Sequence, residues 1–308
     1  MKLIFLDAAT MGPVSLAPLA ELGELVLYPT STPGQARERV RDADVILTNK
    51  APVDDALMAC APRLKLICVA ATGVNHIDLA AAERRGVKVR NVAGYSTESV
   101  LQITLMHLFS LVNRPADYDA EVKDFSYSRS GIANDVSRPF MELWGKTWGI
   151  VGMGAIGQRV AEVAKALGMK VIYYSTSGTS HCSLYPSVPL DELMRSSDVI
   201  SIHAPLNERT RNLIAAPQLA LMKPTAVIIN LGRGAIINEA DLAAAIDGAR
   251  IAGAALDVYE KEPVPEDNPL LHTSHPELLR FTPHIAWASN ESLERLVLRM
   301  AENIRSSI

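Results

Sequence analysis

The sequence predicts an α/β chain in which two successive parallel sheets are covered by helices. Three observations predict it. Short apolar, β-branched runs alternate with stretches of helical period along the whole chain. Several of those runs are apolar at every position, which is the pattern of strands buried on both faces. The alternation breaks once, at a polar stretch with scattered Gly and Pro, and a second βα series then begins at Thr147. A length of 308 residues allows two domains of ordinary size.

Taken in order, the expected strands of the first series are Lys2–Asp7, Glu24–Tyr28, Val45–Thr48, Leu64–Ala70 and Val87–Val92. Between the last two, Ile77–Arg85 reads as a helix closed by Gly86. A long helix is expected over Ser96–Asn113, ended by Pro115, with Phe125–Phe140 as a connection. The second series offers Thr147–Val151, Lys170–Tyr174, Val199–His203, Ala226–Asn230, Ile251–Asp257 and a short strand near Arg280–Thr282. After its first strand, Ile156, Val160, Val163 and Leu167 form one apolar stripe, and Gly168 caps the helix. Asn238 reads as an N-cap, with Glu239 and Asp241 well placed against the helix dipole. The last helix, from about Asn290, cannot join the second sheet by adjacency alone and could return to the first domain.

Composition excludes several classes. Hydrophobic residues make up 48% and charged residues 21%, so a large core can be buried and disorder is not expected. Net charge is −4 and no basic stripe is visible, which argues against nucleic acid as a partner. No apolar stretch approaches the ~20 residues of a membrane span. The N-terminal apolar run is stopped by Asp7 and reads as a strand rather than a signal peptide. Cys60, Cys68 and Cys182 have no metal-ligand or CxxC spacing, so no metal is expected and a reducing, cytoplasmic setting is.

The segment Gly149-Ile150-Val151-Gly152-Met153-Gly154-Ala155-Ile156-Gly157 is GxGxxG between an apolar strand and an amphipathic helix. Gly152 permits the tight turn, Gly154 lets a pyrophosphate approach the backbone, and Gly157 lets the helix pack on the strand. The helix amides then face the phosphates. This is a Rossmann dinucleotide site. Its second strand ends in Tyr174-Ser175-Thr176-Ser177, without the carboxylate that usually binds the ribose of NAD. Hydroxyls there could hold a 2′-phosphate, yet no Arg follows directly in that stretch. NAD and NADP both stay open, with a lean to NADP.

Three polar residues follow apolar strands of the second series: Arg233 in Gly232-Arg233-Gly234, Glu262 before Pro263, and His284 after Pro283. Ligands of open α/β sheets sit beyond the carboxyl ends of strands. Reducing a 2-oxo acid requires a hydride, a proton for the alkoxide and a cation for the carboxylate. Arg233 offers a planar fork for carboxylate and carbonyl oxygen, His284 a proton donor, and Glu262 a partner for the imidazole. Each has a plainer reading as well: an Arg between glycines is often a solvated turn, and a Glu beside Pro is often surface. His203, at a strand end, suits the wall of a cofactor cleft better than acid–base work. His76, His107, His181, His272 and His275 have less support.

Six ordered motifs together resemble the D-isomer-specific 2-hydroxyacid dehydrogenases over nearly the whole chain. They are Ala71–Asp78, the GxGxxG segment, Ser197–Leu206, Asn230–Gly234, Gly253–Pro263 and Pro283–Trp287. The resemblance implies two flavodoxin/Rossmann-like doubly wound domains with a cleft between them. Residues 1–97 plus 288–308 would bind substrate, and residues 98–287 the dinucleotide. It implies Arg233, Glu262 and His284 as the catalytic set. The implied cofactor set is Gly152, Gly154, Ala155, Ile156, Gly157, Ser175, Thr176, His203, Ala204, Pro205, Thr210, Leu231, Gly232 and Asp257. For substrate it implies the amides of Gly73 and Val74, with Tyr95 near by in some lactate-type members, where a packed hinge residue is the plainer reading.

Two departures stand out: Ala155 occupies a position where many members carry Arg or Asn, and Ser175 replaces the usual acid. The run Leu47-Thr48-Asn49-Lys50 and the ending Pro283–Trp287 look most like glycerate dehydrogenase and hydroxypyruvate reductase members. Lys50 could meet a polar substrate tail, although a solvated lysine is the commoner case. Hydroxypyruvate, glyoxylate or glycerate are the favoured substrates, with 3-phosphoglycerate or D-lactate as alternatives. A formate dehydrogenase pairs its histidine with Gln, which Glu262 argues against. Members are usually homodimers, and an NAD(H)-sensing corepressor of the same fold is the alternative from another class.

Overall fold

The computed structural model describes residues 1–179 and 182–308, so His181 lies outside the described residues. The chain divides into two compact units, Met1–Ser96 with Ala288–Ile308, and Thr97–Trp287. No helix among the described residues is long and apolar enough to cross a membrane.

The first unit is a parallel sheet of β1 (Lys2–Phe5), β2 (Glu24–Leu27), β3 (Val45–Thr48), β4 (Leu66–Val69) and β5 (Lys88–Arg90), in the order β2-β1-β3-β4-β5. β3 has the bounds expected of it, whereas β1, β2, β4 and β5 stop a residue or two inside their runs, whose flanks continue into strand-end loops. β3 and β4 are buried at every position, as expected of strands covered on both faces. At the point where the strand order reverses, the buried carboxylate of Asp7 accepts the backbone N–H groups of Asn49 (2.9 Å), Lys50 (2.6 Å) and Ala51 (2.8 Å). The helix expected over Ile77–Arg85 spans Leu79–Arg84, since Asp78 caps it by accepting from the Ala81 N–H. The C-terminal helix, Asn290–Ser307, is capped by Ser289, buries Leu296, Val297, Met300 and Ile304, and packs on β4, where Cys68 meets the Met300 carbonyl. It returns to the first unit, where Lys88 Nζ donates to the Ser307 carbonyl.

The second unit contains β6 (Thr147–Val151), β7 (Lys170–Tyr174), β8 (Val199–Ile202), β9 (Val227–Asn230), β10 (Gly253–Leu256) and β11 (Leu279–Phe281). The order is β11-β10-β9-β8-β6-β7 and all pairs are parallel, so every carboxyl end lies on one edge. Alternate residues of the central strands feed two cores. Ile200, Ile202 and Ile228 face one, and Trp148, Val199, Val227 and Ile229 face the other. The helix Thr97–Val112 covers β9 and β10 on the second side.

One expectation is corrected. Pro115 does not simply end that helix: Arg114 adopts a left-handed φ of 47°, and Pro115 takes the first position of a new helix, Pro115–Lys123. A proline lacks the N–H that the first helical turn leaves unsatisfied anyway, so the same residue that stops one helix starts the next. The stretch Phe125–Phe140 likewise contains a short helix, Ser126–Ser130, within the connection.

Candidate active site

The glycine turn after β6 is built to leave room. Gly152 has φ 94°, and a Cβ there would lie 2.9 Å from the His203 carbonyl oxygen. A Cβ on Gly157 would lie 2.2 Å from the Gly152 carbonyl oxygen, so a helix this close to the turn requires glycine. A Cβ on Gly154 would meet nothing within 4 Å. That open space lies at the start of the helix Ala155–Ala166, and Gly154 and Ala155 are exposed. Helix-start N–H groups and a backbone without side-chain cover fit the pyrophosphate of a dinucleotide. Ala155 adds no charge to them.

The neighbouring strand ends complete this edge. Trp148 Nε1 donates to Ser201 Oγ (2.9 Å), which also lies 3.0 Å from His203 Nε2. His203 Nδ1 is enclosed and has no hydrogen-bond partner among the described residues. Burial pushes the imidazole pKa down to about 3, so His203 is neutral at physiological pH and not an acid–base group. Ala204 packs against Gly232, whose Cβ would lie 2.9 Å from the Ala204 carbonyl oxygen. Leu231 is buried beside it. Thr210 is also buried, and its hydroxyl closes its own loop, donating to the Pro205 carbonyl (2.7 Å) and accepting from the Asn207 N–H (2.8 Å).

At the end of β7, Ser175 Oγ donates to the Thr179 carbonyl (2.5 Å) and lies 3.1 Å from Ser177 Oγ, with Thr176 half-buried between them. Sequence order puts no arginine here, but the fold does. Arg209, from the loop after β8, donates through Nη1 to the Ser177 carbonyl (3.0 Å).

The catalytic candidates stand on three adjacent strands, β9, β10 and β11. Arg233 follows β9 in a loop set by Asn230, whose side chain donates to the Arg233 carbonyl and accepts from the Gly232 N–H. Arg233 Nη1 donates to the Gly232 carbonyl (2.8 Å). Gly234 must be glycine, since a Cβ would lie 1.8 Å from the Tyr259 carbonyl carbon. Glu262, after β10, accepts from the Tyr259 N–H through Oε1 (3.1 Å) and meets His284 Nδ1 through Oε2 at 2.6 Å. Buried Glu239 accepts the Glu260 N–H (2.6 Å) and braces the same loop. Tyr259 donates its hydroxyl to the Thr282 carbonyl, and burial with nearby carboxylates raises its pKa to about 12.

The loop that carries His284 is held by its backbone. Asp257, 1% exposed, accepts from Thr282 Oγ1 (2.6 Å), the Ile285 N–H (2.8 Å) and the Ala286 N–H (2.9 Å). Trp287 Nε1 donates to the His284 carbonyl (2.9 Å). These anchors keep His284 at a left-handed φ of 56°, a conformation that costs an ordinary residue roughly 1 kcal/mol or more. Because the Thr282 hydroxyl gives its hydrogen to Asp257, His107 Nε2 must donate to it (3.0 Å), and burial lowers the His107 pKa. Asp257 therefore organises this loop, a role its motif did not suggest. Its signal in sequence is an acid ending an apolar strand.

The remaining site residues belong to the first unit. Lys50 is exposed after β3, on backbone fixed by Asp7. Gly73 and Val74 lie half-buried on the loop after β4, where the Val74 carbonyl accepts from the Ile77 N–H. Tyr95 is 4% exposed and its carbonyl accepts from Arg295 Nε (3.0 Å), the surroundings of a packed residue. Among the described residues no group of three or more His, Cys, Asp or Glu side chains is placed to hold a metal ion.

Comparison with known proteins adds the following. Residues 105–286 match the family model described as D-isomer specific 2-hydroxyacid dehydrogenase, NAD binding domain. The chain is 34% identical to a hydroxypyruvate reductase of Blautia hydrogenotrophica, covering 96% of this chain and 94% of that one. It is 35% identical to a glyoxylate reductase of Korarchaeum cryptofilum, covering 94% and 88%. Among solved structures, an acyclic imino acid reductase in complex with NADPH and D-Arg superposes with a TM-score of 0.88 at 29% identity, covering 99% and 96%.

Proposed function

The chain belongs to the D-isomer specific 2-hydroxyacid dehydrogenase family, and from that premise we propose that it reduces a small 2-oxo acid of the hydroxypyruvate and glyoxylate class, with NADPH preferred. The observation that carries the chemistry is the 2.6 Å contact of His284 Nδ1 with Glu262 on the strand end beside that of Arg233. A bound reduced nicotinamide supplies the hydride that reaches C2. The chain's own residues do the rest. Arg233 pairs with the substrate carboxylate and the carbonyl oxygen, drawing charge toward the oxygen that becomes an alkoxide. His284 gives that oxygen a proton, and with Nδ1 engaged by Glu262 the transfer falls to Nε2. The Glu262 carboxylate stabilises the imidazolium before transfer and fixes the ring's orientation. In the oxidation direction His284 takes the proton back. Gly73 and Val74, in the first unit, are the proposed amide donors to the carboxylate, and Lys50 and Tyr95 the side chains that sort substrates.

The proposed cofactor preference follows from the end of β7, after which Ser175 and Thr176 stand with no acid to repel a 2′-phosphate. The substrate class takes its support from the names of the two relatives above. Hydroxypyruvate, glyoxylate and pyruvate should be assayed with NADPH and NADH in parallel by loss of reduced-nicotinamide absorbance. Turnover of hydroxypyruvate or glyoxylate with NADPH is expected. Turnover of pyruvate alone would move the substrate class, and no turnover despite cofactor binding would overturn the enzymatic assignment.

The proposal includes a homodimer in a reducing, cytoplasmic setting. Cys60, Cys68 and Cys182 are free thiols. In the second unit Val122, Phe125, Ile132, Val136, Phe140 and Trp144, close in sequence, are all more than half exposed, apolar surface that a lone chain would leave in water. Equilibrium sedimentation should give twice the chain mass, and a monomer at assay concentrations would remove the dimer from the proposal.

A further inference from the structure

Nothing in the order of the residues links Arg209 to the nucleotide site, yet the fold lays its guanidinium on the loop that follows β7. Nη1 donates to the Ser177 carbonyl at 3.0 Å, and a Cβ on Gly178 would sit 3.5 Å from the same nitrogen. Gly178 has φ 82°, which turns the loop back along the guanidinium. Beside it stand three hydroxyls in a chain, Ser175 to Ser177 at 3.1 Å and Ser177 to Thr179 at 3.3 Å. No carboxylate among the described residues pairs with Arg209, whereas Arg211, two positions on, lies 3.7 Å from Glu260. A guanidinium has five N–H donors. The Ser177 carbonyl takes one, and the rest can meet an anion.

Position gives that anion its identity. Ser175 follows the glycine turn by about the 20 residues that separate it, in Rossmann sites, from the acid that binds the adenosine ribose. The charge pattern is inverted here: hydroxyls and a cation stand where an acid is usual. We propose that Arg209 is the specificity-determining cation for the 2′-phosphate of NADP(H), acting together with the hydroxyls of Ser175 and Ser177. This rests on the dinucleotide reading of the glycine turn and supplies the cation that the loop's own sequence lacks. The guanidinium is planar and delocalised, and its fork of donors matches phosphate oxygens.

Binding separates this from activity. Calorimetry of the full-length protein should compare adenosine 2′,5′-bisphosphate with adenosine 5′-monophosphate, and NADPH with NADH. Arg209→Ala is expected to weaken NADPH and the bisphosphate by roughly 10- to 100-fold, the loss of charge-assisted hydrogen bonds. NADH and the monophosphate should be unmoved. Arg209→Lys should recover part of the loss, keeping charge without the fork. Arg195→Ala removes a cation from an exposed i,i+4 pair with Asp191 and should change nothing, which controls for net charge. If the unaltered protein prefers NADPH and Arg209→Ala keeps the full preference, Arg209 is not the reader although the NADP reading stands. If the unaltered protein binds NADH as tightly as NADPH, both are overturned.

Discussion

His284→Ala is expected to lower kcat for 2-oxo acid reduction by about 10²–10⁴-fold, the usual worth of a positioned proton donor. Cofactor affinity should survive. The reason lies in how the loop is fixed: Asp257 holds the N–H groups of Ile285 and Ala286, and Trp287 holds the carbonyl of residue 284. None of these bonds uses the imidazole, so its removal takes away chemistry and leaves the frame. Alanine should also flatten the pH dependence of kcat/KM on the limb that His284 governs. A variant with near-normal kcat, or with an unaltered pH–rate profile, would take His284 out of the reaction.

Arg233→Ala is expected to reduce kcat/KM by about 10²–10³-fold, the range found when a donor to a developing oxyanion is removed. The split between constants is more telling than the total. If Arg233 holds only the carboxylate, it binds substrate and transition state alike, and KM rises while kcat stays. If it also faces the carbonyl oxygen, its contact strengthens as charge develops, and kcat falls too. The second result is expected, because one guanidinium presents parallel donors to adjacent oxygens. A lysine at 233 should rescue little. Unchanged steady-state constants would remove Arg233 from the site.

Much of this architecture is legible in the residues. β8, β9 and β10 are buried at every position because helices cover both faces, and their mostly apolar runs announce it. Arg233, Glu262 and His284 declare themselves as polar residues just beyond strands. What the residues withhold is tertiary. Pro115 carries the same local signal whether a helix ends before it or begins with it, and only the left-handed turn at Arg114 decides. Arg209 and Ser177 stand 32 positions apart in different loops, with no periodicity to join them. Asp257 reads as a ligand contact by motif, while its burial and three donors give it to the backbone of a neighbouring loop. Chemistry was written locally; its supports were not.

The route of the chain back to its first unit has a consequence for how the protein is made. β4 and β5 leave the ribosome early, but the helix that covers β4, Asn290–Ser307, is synthesised only after the whole of the second unit. Residues 97–287 form a unit of their own and can fold as soon as they emerge. At about 5–20 residues per second, the first sheet waits on the order of ten to forty seconds with Leu66 and Cys68, the face of β4 that meets Met300, beside an unfilled helix position. Folding order therefore departs from chain order here: the second unit can mature before the first sheet receives the helix that covers it. Truncating the last turns would leave a nascent chain with a finished nucleotide unit and an open sheet, the kind of surface that chaperones recognise.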